Sequence, residues 1–310
     1  MLRRRDLEQI QRDTGFSFDM LEKLYHLSRV PWAICQSKEL YGNLTLKGGT
    51  ALNLMYLDVP RLSIDLDFNF TGSVERDQMK TLRQGVETAI DKTGRSIGYE
   101  VTAGPSSYIM SRYRLRYTTL REIKDHIRVE VNYLDRLPIG QIVERTFPTF
   151  FPDLQQFPVR TYTLEELAAQ KTKAFIERED PPDLYDLYRL SMQRVDPEET
   201  RKCAVIYYCM TDGTRNPDEI IQAARTYDDK RLLPGIRQFI RTIDRVDPHT
   251  VRCGATSFLQ GALAFKGKER QSVDTFYREH RIIPDLVWDN KSEIARHPSL
   301  LHRLYTLREA

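Results

Sequence analysis

Two aspartates in an apolar segment constrain the fold of this chain more than any other feature. Asp65 and Asp67 alternate with apolar residues over 62–70, which is the period-two pattern of a β-strand. Side chains two residues apart point to the same strand face, so the two carboxylates lie side by side and repel each other. Mg²⁺ relieves such repulsion and binds one or two carboxylates together with substrate phosphates. The segment therefore predicts a strand with a metal dyad, and the simpler alternative is a polar strand face exposed to solvent.

A glycine pair precedes the aspartates. Lys47, Gly48, Gly49 and Thr50 predict the end of a short strand and the start of a helix, with Thr50 as its N-cap or first residue. Backbone N–H groups at a helix start bind anions. A glycine pair alone indicates only a tight turn, and the G-x-x-x-x-G-K loop is absent. Followed by the two aspartates, however, the turn favours metal-assisted nucleotidyl transfer from an NTP.

Composition narrows the class of protein. The chain has 310 residues, a net charge of +3 and 40% hydrophobic residues, which suffices for two domains with buried cores. No apolar run is long enough to cross a membrane, and the basic N-terminus lacks the apolar segment of a secretory signal. The four cysteines and six histidines are too scattered for a zinc or redox motif. We therefore expect a cytoplasmic protein with no membrane association.

The pattern along the first half predicts mixed secondary structure. Apolar residues at helical spacing occupy residues 1–40, and a helix is predicted over 73–93, with Gly94 at its end. Strict alternation over 111–117 and 126–133 predicts two further strands. These elements favour an α+β fold.

The second half predicts a helical domain. Prolines crowd residues 137–160 and predict a link between a nucleotidyltransferase domain over 1–155, with a mixed sheet flanked by helices, and a helical domain over 156–310. A capping box that begins at Thr163 opens one helix, and the next is predicted to begin at Asp183. The helical domain would complete the cleft of the first.

A third carboxylate lies in the second alternating segment. Glu130 points to the same strand face as Asn132. It could complete the metal site or accept the proton of the attacking hydroxyl. The alternative is an exposed cross-strand partner for a nearby arginine, and the strand pattern leaves both open.

Charged residues of the second half extend the candidate site. Lys171 and Arg178 lie on one helical stripe, and Asp183 and Asp186 begin the next helix on one face. The two cations could bind a triphosphate and stabilise charge on the leaving pyrophosphate. The alternative is a pair of helices joined by salt bridges.

A row of arginines occupies one strand face. Arg112, Arg114 and Arg116 alternate with apolar residues, and further cations follow at Arg121, Lys124 and Arg128. Such a face could contact a nucleic-acid backbone, where Lys and Arg displace counterions. The alternative is a row of solvated arginines above core residues.

Taken together, the motifs resemble those of a known toxin family. The matching segments are Lys47-Gly48-Gly49-Thr50-Ala51-Leu52, Arg61-x-Ser63-x-Asp65-Leu66-Asp67-Phe68, Ile127-Arg128-Val129-Glu130-Val131, Lys171-x-x-Ala174-x-x-x-Arg178 and Asp183-Leu184-Tyr185-Asp186-Leu187. They are similar to motifs of the AbiEii/AbiGii-type nucleotidyltransferase toxin family, which includes the MenT toxins. The resemblance spans most of the chain.

This resemblance implies a fold and an activity. It implies a polymerase-beta-like nucleotidyltransferase that transfers NMP from an NTP with one or two Mg²⁺ ions and releases pyrophosphate. It also implies a toxin that is paired with a cognate antitoxin. In the better-understood branch the acceptor is the 3′ end of tRNA. Two alternatives stay open, namely transfer to a protein and a nucleotide-binding partner protein without turnover.

Residue roles follow by position from the resemblance. The implied metal ligands are Asp65 and Asp67, and the implied nucleotide-binding residues are Lys47, Gly48, Gly49, Thr50, Lys171 and Arg178. Asp183 would support the basic residues or the nucleotide. Glu130 stands where many nucleotidyltransferases carry Asp, and Pro182 stands where the family often has a basic residue.

Overall fold

Three stretches of the sequence build the first of two structural units. A computed structural model of the chain describes residues 2–289 and 291–309. Unit 1 comprises residues 1–136, 142–162 and 238–244, and unit 2 comprises residues 137–141, 163–237 and 245–310. Each unit has its own buried apolar residues.

Unit 1 is organised around a mixed β-sheet. Its strands are β1 (Leu44–Lys47), β2 (Asp65–Phe70), β3 (Glu100–Ala103), β4 (Met110–Thr118), β5 (Lys124–Asn132), β6 (Ile142–Phe147) and β7 (Phe157–Tyr162). In the described part of the chain their order across the sheet is β3-β4-β5-β2-β1-β7-β6. β2 is antiparallel to β1 and parallel to β5. The strand that carries the two aspartates therefore lies in the interior of the sheet, between two neighbours.

The alternating segments form strands, as predicted. In β4 the side chains of Tyr113, Leu115 and Tyr117 are buried, while the intervening arginines are exposed. In β2 the apolar side chains Leu66 and Phe68 are likewise buried. One sheet face thus belongs to the core and the other is polar, the usual arrangement for antiparallel strands with one solvated face.

Helices of unit 1 pack beside this sheet. They are α1 (Arg4–Thr14), α2 (Phe18–Gln36), α3 (Lys38–Asn43), α4 (Gly48–Met55) and α5 (Arg76–Ser96). The prediction that Gly94 ends a helix is wrong, because α5 continues past it. A Cβ at Gly94 would lie 2.6 Å from Val101 Cγ2, so the glycine permits close packing of α5 on β3.

The expected link over 137–160 is also wrong, because that segment contains β6 and most of β7. β7 pairs parallel with β1 through Leu46 and Thr161, and antiparallel with β6. Pro158 lies near the start of β7, three residues before Thr161, where β7 pairs with β1. Its missing N–H therefore removes no bond to β1.

The regular secondary structure in the described residues of unit 2 is entirely helical. Its helices are α6 (Leu164–Arg178), α7 (Pro181–Leu190), α8 (Pro197–Cys209), α9 (Pro217–Arg225), α10 (Asp229–Arg237), α11 (Pro248–Ala262), α12 (Lys268–Glu279) and α13 (Pro298–Glu309), with short 3₁₀ turns at Pro284–Leu286 and Ser292–Arg296. Proline occupies the first turn of α7, α8, α9 and α11, where its missing N–H would have no helical partner. α7 accordingly begins at Pro181, two residues before the predicted start.

The capping box at the start of α6 is only half formed. Thr163 is the N-cap, and its hydroxyl accepts from the backbone N–H of Glu166. The Glu166 carboxylate does not return to Thr163 but accepts from the N–H groups of Ile139 and Gly140, at 3.0 and 2.9 Å. This buried glutamate therefore holds the 137–141 segment within unit 2. The α+β class, with a mixed sheet flanked by helices and a helical second half, is confirmed.

Candidate active site

The central strand β2 presents both aspartates on the polar face of the sheet. Asp67 is the register partner of Lys47 in β1 and of Glu130 in β5, and Asp65 is the partner of Arg128 in β5. Directly paired residues share a sheet face. Residues that are far apart in the sequence therefore form two adjacent rows of charge on neighbouring strands.

Asp65 is a half-buried carboxylate beside a single arginine. Its Oδ1 lies 3.3 Å from Nε of Arg128. Burial raises the pKa of Asp65 above its ordinary value, while Arg128 and Lys23 act in the opposite direction. Burial thus disfavours the ionised form of Asp65, and a bound cation would favour that form. The Asp65–Asp67 pair fits a divalent cation for this reason.

Glu130 and Lys47 both have partners of opposite charge. Nε of Arg112 lies 3.2 Å from Glu130 Oε1, which matches the cross-strand pairing that we weighed as the alternative to a metal role. Nζ of Lys47 lies 3.9 Å from Asp135 Oδ2. Among the residues that the structure describes, no three His, Cys, Asp or Glu side chains are grouped so that they could hold a metal ion. A metal at this site would therefore depend on the aspartate pair and on substrate oxygens.

Gly48 brings the start of α4 directly against Asp67. Its φ is +71°, a left-handed backbone conformation that residues other than glycine rarely adopt. A Cβ at this position would lie only 2.6 Å from Asp67 Oδ2. Both the conformation and the close approach require glycine, so the helix N-terminus and the carboxylate are adjacent. An anion-binding helix start beside a carboxylate pair is the arrangement expected for an NTP–metal complex.

Thr50 connects the glycine turn to the aspartate strand. The prediction that it caps or starts α4 is wrong, because Lys47 is the N-cap and the helix begins at Gly48. The Thr50 hydroxyl instead donates to the backbone carbonyl of Asp65, at 2.5 Å. This bond fixes α4 to β2 at the residue that carries the first carboxylate.

Two further polar side chains meet the glycine turn. A Cβ at Gly49 would lie 2.9 Å from Arg61 Nη2 and 3.1 Å from Ser63 Oγ. Arg61 is buried, with 5% of its surface exposed, and its Nη1 donates to the carbonyl of Leu62 at 3.0 Å. A guanidinium, a hydroxyl and helix N–H groups together form a cradle that suits phosphate oxygens. Arg61 and Ser63 belong to a segment that resembles a family motif, but we assigned them no role from the sequence, although they lie four and two residues before Asp65.

Unit 2 holds the second group of predicted site residues. Lys171 Nζ lies 2.7 Å from Asp183 Oδ1 and 2.9 Å from Asp186 Oδ2. Arg178 donates to both oxygens of Asp183, at 2.6 and 3.0 Å. α6 therefore supplies both cations and α7 supplies both carboxylates. These contacts match the alternative that we gave for this stripe, a pair of helices joined by salt bridges, and the role of Lys171 and Arg178 towards a triphosphate stays a prediction.

These ion pairs determine the charge of Asp183. Burial alone raises the pKa of this fully buried carboxyl, but Lys171 and Arg178 outweigh burial and hold the pKa at about 2. Asp183 is therefore ionised at neutral pH and orients both cations. The exposure of Lys171 is only 5%, so its ammonium is fixed by α7.

Comparison with known proteins identifies the family. The model of the nucleotidyl transferase AbiEii toxins of type IV toxin–antitoxin systems matches residues 36–277. The chain belongs to this family. It is thus a nucleotidyltransferase toxin, and the family implies an NTP substrate and an antitoxin partner. Both conclusions confirm the resemblance seen in the motifs.

Two solved structures are similar to this chain at low sequence identity, and the first of them shares its fold. MenT4, a nucleotidyltransferase toxin from Mycobacterium tuberculosis, superposes with a TM-score of 0.67 at 17% identity, covering 99% of each chain. JHP933 from Helicobacter pylori has a TM-score of 0.49 at 17% identity, covering 84% of this chain and 99% of its own. Among curated protein sequences, none matches the chain. Within the described residues, no helix combines the length and the apolar character needed to cross a membrane.

Proposed function

We propose that this enzyme transfers NMP from an NTP to the 3′ end of tRNA in the cytoplasm, with Mg²⁺ and with release of pyrophosphate. The observation that carries the proposal is the close approach of the α4 N-terminus to Asp67, made through Gly48. It supports the proposal because a helix start that suits an anion lies beside a carboxylate pair that suits a cation. A nucleoside triphosphate with its metal satisfies both.

The candidate site residues of unit 1 then have the following roles. Asp65 and Asp67 would hold Mg²⁺, which when bound neutralises phosphate charge during transfer. Gly49 and Thr50 would bind phosphate through the helix N–H groups, while Arg61 and Ser63, which approach Gly49, would bind further phosphate oxygens. Lys47, the N-cap of α4, would add positive charge on the same sheet face.

Glu130 is proposed to accept the proton of the attacking hydroxyl. It lies beside Asp67 in the sheet register, and Arg112 orients its carboxylate. A general base must reach the proton that it removes, and the strand next to the dyad is a suitable position. The reaction then proceeds by attack of the acceptor hydroxyl on the α-phosphorus of the NTP, with pyrophosphate as the leaving group.

Unit 2 is proposed to serve the triphosphate. Lys171 would contact its oxygens and, with Arg178, would stabilise charge on the departing pyrophosphate. Asp183 would orient both cations through the ion pairs described above. In this proposal the nucleotidyltransferase domain, predicted over residues 1–155, extends through β7, and the helical domain, predicted over residues 156–310, begins at α6.

The acceptor is tested by following label from the NTP. Purified protein is incubated with Mg²⁺, total tRNA and each NTP, labelled at either the α- or the γ-phosphate. We expect α-label, and no γ-label, in tRNA for at least one NTP, and loss of this label in Asp65→Asn. α-Label in a protein band would instead support protein nucleotidylation. No label in RNA from any of the four NTPs would overturn the tRNA assignment.

A further inference from the structure

The polar face of β4 and β5 carries a dense group of cations. We call it the arginine face and define it by the exposed residues Arg112, Arg114, Arg116, Lys124 and Arg128. The side chains of Arg112, Arg116 and Arg128 are 47%, 47% and 52% exposed. Thr118, His126 and Glu130 complete this face of the two strands. Arginine side chains of this exposure are available to a ligand.

Charge on this face is only partly balanced by the protein. Arg112 pairs with Glu130, Arg116 with Glu100 and Arg128 with Asp65. Arg114 lies directly opposite Arg128 in the strand register, and in the described part of the chain no carboxylate lies within ion-pair distance of it. Like charges opposite each other destabilise a sheet. A bound anion would relieve this repulsion.

The surroundings of His126 report the same excess of positive charge. Its ring lies in register with Arg116, between Lys124 and Arg128 along β5. Burial lowers the pKa of His126, and the cations Lys23, Arg114 and Arg128 lower it further, against the opposite effect of Asp125. The histidine is therefore neutral at pH 7, and the positive potential of the face comes from the arginines and lysine.

The arginine face is continuous with the aspartate pair. Asp65 of β2, Arg128 of β5 and Arg114 of β4 form one row across neighbouring strands. Strands lie about 4.8 Å apart, so the position of Arg114 is about 10 Å from that of Asp65 along this row. A strand rises about 3.4 Å per residue, so the three arginines of β4 extend over about 14 Å beside it.

We propose that the arginine face binds the phosphate backbone of the acceptor RNA and leads its 3′ end towards Asp65 and Asp67. This inference rests on the proposed function, because it assumes an RNA acceptor. Guanidinium groups bind phosphate oxygens in pairs of parallel hydrogen bonds. The face binds several phosphates through Arg112, Arg114 and Arg116, and Arg114 provides a guanidinium without a protein counter-ion.

An acidic protein is the competing occupant, and the composition of the face disfavours it. Specific protein interfaces have a partly apolar core with depleted charge. The outward residues of β4 and β5 from Arg112 to Thr118 and from Lys124 to Glu130 are all polar or charged. A surface of this kind suits a polyanion that is recognised by charge rather than by apolar contact.

The test measures binding of total tRNA without NTP, so that catalysis does not enter. Kd is determined by fluorescence anisotropy between about 50 and 200 mM salt for wild type, Arg114→Ala and the double variant Arg114→Ala/Arg116→Ala. The control is Arg95→Ala, which removes an exposed arginine from α5; its side chain is 57% exposed and pairs with Asp91. Thermal unfolding confirms that each variant is folded.

We expect Arg114→Ala to raise Kd by about 5- to 10-fold and the slope of log Kd against log salt to fall by about 0.7–0.9 for each arginine removed. Arg95→Ala leaves both unchanged. Equal Kd and slope in all four proteins would overturn the inference, and so would a wild type that binds no tRNA. Polyglutamate binding as tightly as tRNA at matched charge, with the same loss in Arg114→Ala, would assign the face to an acidic protein and also overturn it.

The two proposals fail in different ways. If label enters tRNA but the arginine variants bind tRNA normally, nucleotidyl transfer to tRNA stands and the arginine face is not the RNA surface. If tRNA binds through the arginine face but no label enters it, the binding surface stands and the proposed reaction is wrong.

Discussion

Replacement of Gly48 by alanine tests whether the α4 N-terminus and the aspartate pair act as one site. The new Cβ would lie 2.6 Å from Asp67 Oδ2, whereas ordinary contact begins at 3.4 Å. The carboxylate or the helix start must therefore move by about 0.8 Å. In addition, alanine at position 48 would have to keep a φ of +71°. This backbone conformation destabilises a residue with a side chain by about 1–2 kcal/mol.

The two consequences of this substitution have separate magnitudes. We expect the free energy of unfolding to fall by about 1–2 kcal/mol from the backbone conformation. We expect kcat/KM for nucleotidyl transfer to fall by about 10- to 100-fold, because a misplacement of about 1 Å at a reacting group costs roughly 10²-fold. Urea unfolding gives the first quantity, and initial rates of α-label transfer give the second.

Gly42→Ala is the matched control. Gly42 lies within α3, and no atom lies within 4 Å of a Cβ built there. Alanine is favoured over glycine in a helix by about 0.5–1 kcal/mol, so this variant should be as stable as wild type or more stable, with full activity. If Gly48→Ala transferred label at the wild-type rate, the close approach to Asp67 would have no part in catalysis and the reasoning would fail.

The remaining predictions concern Asp183, Thr50 and Gly94. Asp183→Asn should lower the free energy of unfolding by about 1.5–3 kcal/mol in urea, because it weakens the charged hydrogen bonds to Lys171 and Arg178, which keep Asp186 and Asp180 as second partners; a loss below 1 kcal/mol would contradict this. Since its folded pKa of about 2 lies below the ordinary value, wild type should also lose about 2 kcal/mol as pH falls from 4 to 2, and Asp183→Asn should not. Thr50→Val should cost about 1 kcal/mol by removing the bond to Asp65, with recovery in Thr50→Ser. Gly94→Ala should lower the melting temperature by overpacking Val101 at about 1–2 kcal/mol, and an unchanged melting temperature would refute the packing argument.

The sequence predicted those parts of the fold that depend on local periodicity. β4 and β5 were recognisable because every second residue is apolar, and the pleat alone determines which side chains are buried. For the same reason the shared face of Asp65 and Asp67 was predictable. The helical second half was recognisable from its capping residues and prolines.

Tertiary contacts account for what was missed. The predicted start of β2 was three residues early, because the backbone N–H of Leu62 donates to the carbonyl of Phe239, a residue distant in the sequence. Gly94 signals a helix end locally, yet close packing of Val101 requires it inside α5. β7 was missed because its pairing with β1 joins segments that are more than 100 residues apart.

The same distinction between local sequence motifs and tertiary contacts applies to the candidate site. The sequence supplied Asp65, Asp67 and the glycine turn, since each belongs to a short motif. It gave no reason to place Arg61 against Gly49, because that contact depends on turns between elements whose geometry the sequence leaves open.

The central claim is that Asp65 and Asp67 form the nucleotidyl-transfer site, and Asp67→Asn tests it most directly. Wild type and Asp67→Asn are each incubated with tRNA, Mg²⁺ and the four NTPs, and the intact mass of the tRNA is measured before and after. We predict that wild type adds one or more nucleotides to the 3′ end, while Asp67→Asn adds none and still unfolds at the wild-type temperature. Extension of tRNA by Asp67→Asn at the wild-type rate would contradict the account.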